Sequence, residues 1–127
     1  MAHALESRPR VFKTAWFAKA AKKANIVDSE LCACIEAASL GHVDDLGGGI
    51  FKIRMNKNMH RAILLAKAGH WWIFEYLFAK NIRENIAKDE LLQFRELAKA
   101  CARLNEKQVQ QLIDGNDFVE ICHGDQD

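Results

Sequence analysis

The stretch Trp71–Lys80, WWIFEYLFAK, constrains the fold most strongly, because as a strand it would be apolar on both faces for most of its length. Such a strand is stable only where both faces are covered, which predicts a position inside a sheet. Two shorter strand-like runs precede it, IFKIRM at Ile50–Met55 and HRAILLA at His60–Ala66. Because short connections join antiparallel neighbours, the three runs predict an antiparallel meander.

The residues before the meander predict a strand followed by a helix hairpin. Arg10–Thr14 is a candidate first strand, and Thr14 is a suitable N-cap for a helix over Ala15–Ala24. Asp28 or Ser29 is a candidate N-cap for the second helix. The segment Asp44–Gly49 is interpreted as a turn that feeds the meander.

Helical spacing returns after Asn85, and the pair Asn105 and Gln108 resembles a capping box for one further helix. Phe118–Ile121 is a candidate last strand. This order predicts an α+β domain, with its helices on one face of a mostly antiparallel sheet. The residues predicted to be buried between the layers are Trp16, Phe17, Ile35, Phe51, Ile53, Phe94 and Leu97.

The chain of 127 residues fits a single domain, predicted over residues 11–122, between a flexible arm (residues 1–10) and a disordered tail (residues 123–127). No apolar run is long enough to span a bilayer, and the N-terminus lacks the apolar core of a secretory signal. These features predict a cytoplasmic protein without a membrane partner.

The four cysteines, Cys32, Cys34, Cys101 and Cys122, lack the paired spacing of a zinc site. We therefore expect buried, reduced thiols in a reducing compartment. No two histidines have the helical spacing of metal ligands, so no metal and no cofactor are predicted.

Charge is distributed unevenly along the chain. Residues 1–83 contain 13 Lys and Arg against 7 Asp and Glu, whereas residues 84–127 contain 5 against 10. A basic body with an acidic C-terminal part suggests a polyanionic partner for the body. The alternative is a dipolar surface without a function, and composition alone does not separate the two.

The most basic segment runs from Lys52 to Arg61 and contains no acidic residue. Lys52 and Arg54 alternate with Phe51 and Ile53, so they are expected to point to solvent on the opposite face, with Arg61 beside them across a tight hairpin. Such a surface suits RNA phosphates, and its cations would stabilise a pentacovalent phosphate. The alternative is a solvated strand face that only discourages edge pairing.

Further candidates surround this segment. A histidine changes charge near neutral pH, and a tyrosine can transfer a proton or stack on a base. Glu75 is either a general base or an ion-pair partner, and a tyrosine in an apolar strand is more often part of the core. The proton-transfer candidates are His60, Glu75 and Tyr76, and the further RNA-binding candidates are Lys57, Lys80 and Arg83.

Taken together, several segments resemble a branch of the RelE/HigB-like toxins. The segments that carry the resemblance are Val11–Phe17, Asp45–Gly49, Arg61 at the head of an apolar strand, Phe78–Ile86 and Asp89–Leu97. The resemblance implies the same α+β fold and metal-independent cleavage of messenger RNA, often on the ribosome. It also implies a cognate antitoxin that commonly carries a helix-turn-helix.

The roles implied by this resemblance extend to Lys52, Arg54, Arg61 and Lys80. Relatives tend to have a longer, glycine-rich basic loop where this chain has only Met55–Met59. The shortened loop favours a second hypothesis, in which the chain is a degenerate, non-catalytic toxin that binds protein or nucleic acid as a regulator.

Overall fold

Residues 9–122 are described in a computed structural model, in which six strands and four helices follow one another. They are β1 (Arg10–Thr14), α1 (Ala15–Lys23), α2 (Asp28–Ser39), β2 (Asp44–Gly47), β3 (Ile50–Met55), β4 (His60–Lys67), β5 (Trp71–Ala79), α3 (Lys88–Ala102), α4 (Glu106–Asp114) and β6 (Phe118–Ile121). The predicted α+β order is confirmed. One element was missed, because the predicted turn contains β2, which pairs with β3. The predicted tail and residues 1–8 of the predicted arm lie outside the described residues.

The six strands form one sheet in the order β2-β3-β4-β5-β1-β6. The meander β3-β4-β5 is antiparallel as predicted, and β5 lies inside the sheet between β4 and β1. β1 runs parallel to β5 and antiparallel to β6. The first strand therefore joins the meander to the last strand of the sheet.

Helices cover both faces of the sheet. Along β4, Ala62 and Leu64 pack with α1 and α2, whereas the alternating Ile63 and Leu65 pack with α3 and α4. The C-terminal helices share one face as predicted, but the expectation that all helices lie on one face was wrong. Because β4 and β5 are apolar on both sides, each face needs its own layer of helices.

Aromatic side chains occupy the centre of both layers. The ring of Phe17 from α1 lies 5.1 Å from that of Phe74, and on the other face Phe12 lies 5.2 Å from Phe118. Burying one such side chain stabilises the fold by about 2–3 kcal/mol. Of the residues predicted to be buried, Phe17, Ile35 and Ile53 are buried, Phe51 and Phe94 are half-buried, and Trp16 and Leu97 are exposed.

Local capping explains where the helices begin. The Thr14 hydroxyl accepts a hydrogen bond from the Phe17 N–H at 3.1 Å, and Asn105 and Gln108 form the predicted capping box of α4. The predicted cap of α2 was wrong, since Val27 occupies the N-cap position and makes no side-chain cap hydrogen bond. No helix in residues 9–122 is long and apolar enough to cross a membrane.

The start of β1 and the end of β6 are cross-linked by ion pairs. Arg10 donates to both carboxylate oxygens of Glu120 at 2.8 Å and to Glu106 at 2.8 Å. The hydrogen bonds that Arg10 donates to Glu120 are the largest influence on the pKa of Arg10 and raise it. These contacts join β1 to β6 and to the first turn of α4.

A disulfide adds a covalent link between α2 and the residue after β6. Cys32 and Cys122 are bonded, with Cα atoms 5.4 Å apart and a sequence separation of 90. The prediction of four reduced thiols was therefore wrong, because only the folded chain brings these two together. Cys34 and Cys101 are free, and burial raises the pKa of each to about 11, which keeps both thiols protonated.

Candidate functional site

The register of the meander aligns Lys52 with Tyr76 across the sheet. Both residues pair with Ile63 of β4, one from each side. Since neighbouring strands lie about 4.8 Å apart, the two backbones are separated by roughly 10 Å. Their side chains lie on the face that carries α3 and α4, because Ile63 and Tyr76 both pack with those helices.

The next row along the same face contains Arg54, Arg61 and Phe78. Arg54 pairs with Arg61, which in turn pairs with Phe78. The predicted alternation in β3 is therefore confirmed, with the cations on the side opposite Phe51 and Ile53. Three of the four basic residues of the segment Lys52–Arg61 thus lie in adjoining rows of one face.

Two of these cations remain available for a ligand. Arg54 is exposed, and its side chain has no hydrogen bond or ion pair with any part of residues 9–122. Lys52 is half-buried and its Nζ donates to the Asn85 Oδ1 at 3.4 Å. Neither cation forms an ion pair within the described chain, although Asp44 is the cross-strand neighbour of Lys52. Both cations can therefore attract an anion.

Arg61 departs from the prediction that all three cations point to solvent. It keeps only 9% of its accessible surface, and its Nη1 donates to the carbonyl oxygens of Asn58 and His60 at 3.1 Å each. The guanidinium therefore stabilises the connection between β3 and β4 by these two hydrogen bonds. Its positive charge still lies in the row of Arg54, where it adds to the field of the exposed cation.

An aromatic cluster adjoins the cations. Trp16, from the first turn of α1, stacks on Tyr76 with ring centroids 5.1 Å apart and planes inclined by 23°. Phe94 and Phe78 lie against Tyr76 at 5.7 and 6.0 Å. This position of Trp16 was not predicted, because helical periodicity assigned the residue to the buried stripe of α1.

Arg83 holds this cluster in place. Its guanidinium forms an ion pair with Glu90 of α3, lies 5.6 Å from the centre of the Phe78 ring and approaches the Tyr76 hydroxyl at 3.5 Å. The hydrogen bond between Arg83 and Glu90 lowers the pKa of the carboxyl and raises that of the guanidinium. The structure thus places Arg83, predicted to bind RNA, beside Tyr76 with its charge already paired.

Glu75 lies in a bulge of β5, where the pairing with β4 skips it between Phe74 and Tyr76. Burial raises the pKa of its carboxyl to about 7. The prediction of an ion pair was wrong, since Glu75 has none in residues 9–122; its charge instead contributes to the raised pKa of Cys101 on α3. Glu75 is therefore half-buried, close enough to α3 for its charge to act on Cys101.

His60 lies on the other side of the sheet from Arg61, because adjacent residues of a strand alternate between faces. Its Nδ1 is 3.0 Å from the side-chain amide nitrogen of Asn56, and it pairs with Met55 at the mouth of the hairpin. The structure does not bring His60 to the face of Lys52 and Arg54.

The tip of the hairpin has an unusual backbone. Asn56, Lys57 and Asn58 have positive φ angles of 54°, 55° and 70°. Asparagine tolerates this region, but lysine does so at a cost of about 1–2 kcal/mol. Lys57 is exposed there, and Lys80 is exposed just after β5, where its N–H donates to the Met59 carbonyl at 2.9 Å.

An open cleft of about 800 Å³ runs between α2 and the part of β3 that β2 is too short to cover. Glu30 of α2 accepts a hydrogen bond from the backbone N–H of Asn56 at this edge. Glu30 and Asp44 line the cleft together with parts of Lys52 and Arg54. Within residues 9–122, no three His, Cys, Asp or Glu side chains are close enough to hold a metal ion.

Comparison with known families matches residues 9–121 to the model described as the RelE toxin of the RelE/RelB toxin–antitoxin system. The chain belongs to the RelE toxin family. No curated protein and no solved structure matches it significantly. The matched range contains both rows of cations and the aromatic cluster. Membership makes the chain a toxin and implies a cognate antitoxin as its partner.

Proposed function

We propose that this RelE-family toxin is a metal-independent endoribonuclease that cleaves messenger RNA, most effectively on the ribosome, in the cytoplasm. The observation that carries the proposal is the pair of unneutralised cations, Lys52 and Arg54, on a face that also presents Tyr76. Cations that protein carboxylates leave free favour a polyanion, and they stabilise charge that develops at a phosphate.

The chemistry needs no group beyond the chain and the RNA. The 2′-hydroxyl oxygen attacks the adjacent phosphorus as it loses its proton, and the bond from phosphorus to the 5′-oxygen breaks. The products are a 2′,3′-cyclic phosphate and a 5′-hydroxyl, so one proton leaves the nucleophile and one reaches the leaving oxygen. Lys52 and Arg54 bind the phosphate, and the charge of Arg61 supports them from beneath the surface.

Among the proton-transfer candidates, Tyr76 has the best-supported position, because it shares a row with Lys52. Arg83 donates towards its hydroxyl oxygen, which leaves the phenolic proton free for the leaving 5′-oxygen. Glu75 has a pKa of about 7, suited to a base, but its side chain is half-buried and makes no hydrogen bond with another described candidate. His60 stays a candidate only if RNA wraps the hairpin, where Lys57 and Lys80 provide exposed charge.

The partner antitoxin is proposed to be a helix-turn-helix protein that suppresses this activity. The antitoxin can act by covering the segment Lys52–Arg61 or by displacing a C-terminal element. The last strand, β6, is held by its pairing with β1 and by the ion pair of Arg10 with Glu120, contacts that do not depend on the disulfide. A strand held in this way is harder to displace, so we favour an antitoxin that covers the basic segment.

The test is cleavage of a short RNA by the purified toxin in excess EDTA, with the product ends identified. We expect a cyclic phosphate and a 5′-hydroxyl, and we expect a single 2′-deoxy substitution to abolish cleavage at that position. Ribosomes programmed with the same message show whether cleavage accelerates there. No cleavage of free or ribosome-bound RNA by folded toxin would contradict the proposal.

The second candidate function is a non-catalytic regulator that binds its antitoxin or nucleic acid. The four-residue hairpin connection, in which Lys57 is the one cation, and the burial of Arg61 favour it, because both reduce the charge that reaches a substrate. Expression of the toxin without its antitoxin separates the two functions. The nuclease arrests bacterial growth, whereas the regulator does not.

A further inference from the structure

The position of Trp16 is not explained by packing alone. It retains 51% of its accessible surface although Tyr76 covers one side of its ring at 5.1 Å. The exposed fraction therefore belongs largely to the opposite side of the indole. An exposed aromatic ring beside cations is an arrangement by which proteins bind unpaired nucleobases, since every base has a stacking surface.

We propose that Trp16 is the stacking platform for one nucleobase of a single-stranded RNA whose phosphate is bound by Lys52 and Arg54. The proposal rests on the proposed function, and it adds a binding subsite that lies on α1 rather than on the sheet. The proposed subsite implies that the RNA strand crosses β3, β4 and β5 and continues towards the helix hairpin of α1 and α2.

The distances suit a short stretch of one strand. Lys52 and Tyr76 lie roughly 10 Å apart across two strand spacings, and Trp16 lies one ring beyond Tyr76. The span of roughly 15 Å corresponds to about four nucleotides at the stacked rise of about 3.4 Å, or to fewer in an extended strand. A nucleotide on Trp16 therefore flanks the scissile phosphate without being part of it.

Charge along α1 favours the same strand path. Lys19, Lys22 and Lys23 are exposed, and the helix Ala15–Lys23 contains no acidic residue. Lys19 and Lys23 follow Trp16 by three and seven positions, so they share its side of the helix. Phosphates that continue past the stacked base would contact these lysines. Trp16 would then have phosphate-binding cations on both sides, the sheet cations on one and the lysines of α1 on the other.

The competing explanation is that Trp16 only supports the ring of Tyr76. In that case its loss would weaken any RNA-dependent step equally, whatever base lay nearby. If Trp16 instead contacts a base, removing that one base from the RNA removes the advantage of the tryptophan. This difference makes the proposal testable by pairing a protein variant with abasic RNA.

The experiment measures binding of a fluorescently labelled ten-nucleotide RNA that 2′-O-methyl groups protect from cleavage. Trp16→Ala is expected to weaken binding by about 5- to 100-fold, the usual range for loss of one stacked base, and Trp16→Phe to restore most of it. RNA should quench the tryptophan fluorescence of the wild type but hardly that of Trp16→Phe. Leu40→Ala, another exposed apolar residue, is the matched control and should bind as the wild type does.

A set of these RNAs, each with one abasic position, completes the test. At one position the abasic RNA should bind wild type and Trp16→Ala equally, and this result supports the platform. A loss that persists with every abasic RNA would show that Trp16 acts through Tyr76, and it would overturn the proposal. Equal binding of intact RNA by wild type and Trp16→Ala would also overturn the stacking proposal. If the wild type still cleaved RNA, the proposed nuclease function would be unaffected by that result. If the folded wild type neither binds nor cleaves RNA, both fail.

Discussion

The two ends of the described sheet treat their charged residues in opposite ways. At the β1–β6 end, Arg10 is held by Glu120 and Glu106, and the disulfide from Cys122 adds a covalent link. At the β3–β4 hairpin, Arg54 has no partner in the described chain. An arginine in a strand therefore serves the fold at one end and remains available for a ligand at the other.

The contrast shows that the same residue type, arginine, can be held in an ion pair or left free for a ligand. The presence or absence of an ion pair distinguishes the two cases. A half-exposed ion pair such as Arg10 with Glu120 contributes at most about 1 kcal/mol to stability, but it removes two charges from the surface potential. The unpaired Arg54 contributes little to stability and leaves its charge in the field.

Removing the unpaired charges should abolish function and leave the fold unchanged. Lys52→Gln combined with Arg54→Gln is expected to lower RNA cleavage by on the order of a hundredfold to a thousandfold, since each cation acts on developing phosphate charge. The melting temperature should hardly move, because exposed substitutions change stability by about 0.5 kcal/mol or less. The matched control is Arg103→Gln with Lys107→Gln, an exposed pair outside both rows of cations, which should cleave normally. If the variant Lys52→Gln with Arg54→Gln retained its cleavage activity, these two cations would not be part of the active site.

Breaking the covalent link at the other end should do the reverse. Cys32→Ser with Cys122→Ser is expected to lower the free energy of unfolding by about 2–4 kcal/mol, because a link between distant residues restricts the unfolded chain. Denaturant titrations with and without reductant measure this loss. Reductant should destabilise the wild type and the control Cys101→Ser, yet leave the double variant unaffected. Cleavage per folded molecule should remain close to that of the wild type.

Glu75 lies in β5, between the two regions just compared. The protonation of its carboxyl group makes the free energy of unfolding depend on pH. Its folded pKa of about 7 exceeds the ordinary 4.5, so the folded state holds its proton while the unfolded state loses it. Stability should therefore fall as the pH rises from about 4.5 to 7, by about 2 kcal/mol after allowance for partial exposure. Glu75→Gln should remove this dependence and be the more stable protein at pH 8, whereas exposed Glu36→Gln should retain it. Identical pH profiles for wild type and Glu75→Gln would contradict the burial argument.

The smallest effect concerns the hairpin tip. Lys57→Gly should stabilise the protein by about 0.5–1 kcal/mol, because glycine adopts a positive φ without the steric cost that lysine bears. Lys57→Gln keeps that cost while removing the charge, so it is the control for stability. Chemical denaturation compares the two. If Lys57 also contacts RNA, both variants should bind it more weakly by a similar factor.

Local signals in the sequence predicted the elements well. The Thr14 and Asn105 caps, the alternation at Ile50–Met55 and the two-sided apolar run of β5 all act over a few residues, and each was confirmed. The alternation also identified the face of Lys52 and Arg54. These features depend on period and capping, which can be read without knowledge of the tertiary fold.

The missed features depend on residues that are distant in the sequence. The disulfide spans 90 positions, and β1 pairs with a strand that begins 61 residues after Arg10. Arg61 is buried because the turn folds back over it, and Trp16 is exposed because α1 begins where β1 ends beside Tyr76. Periodicity identifies which side of a helix or strand faces the core. It does not identify the residues that contact the end of that helix or strand in the folded protein.

The place of β1 in the sheet has a consequence for synthesis of the protein. Its two neighbours, β5 and β6, are made long after it, and the second is complete only at Ile121. Contacts so distant in sequence form slowly. A nascent chain can therefore pair β1 with β5 only after Ala79 has been translated, and the other edge of β1 stays open until Ile121. Until then the strand that leads into the Trp16 helix lacks its second neighbour in the sheet.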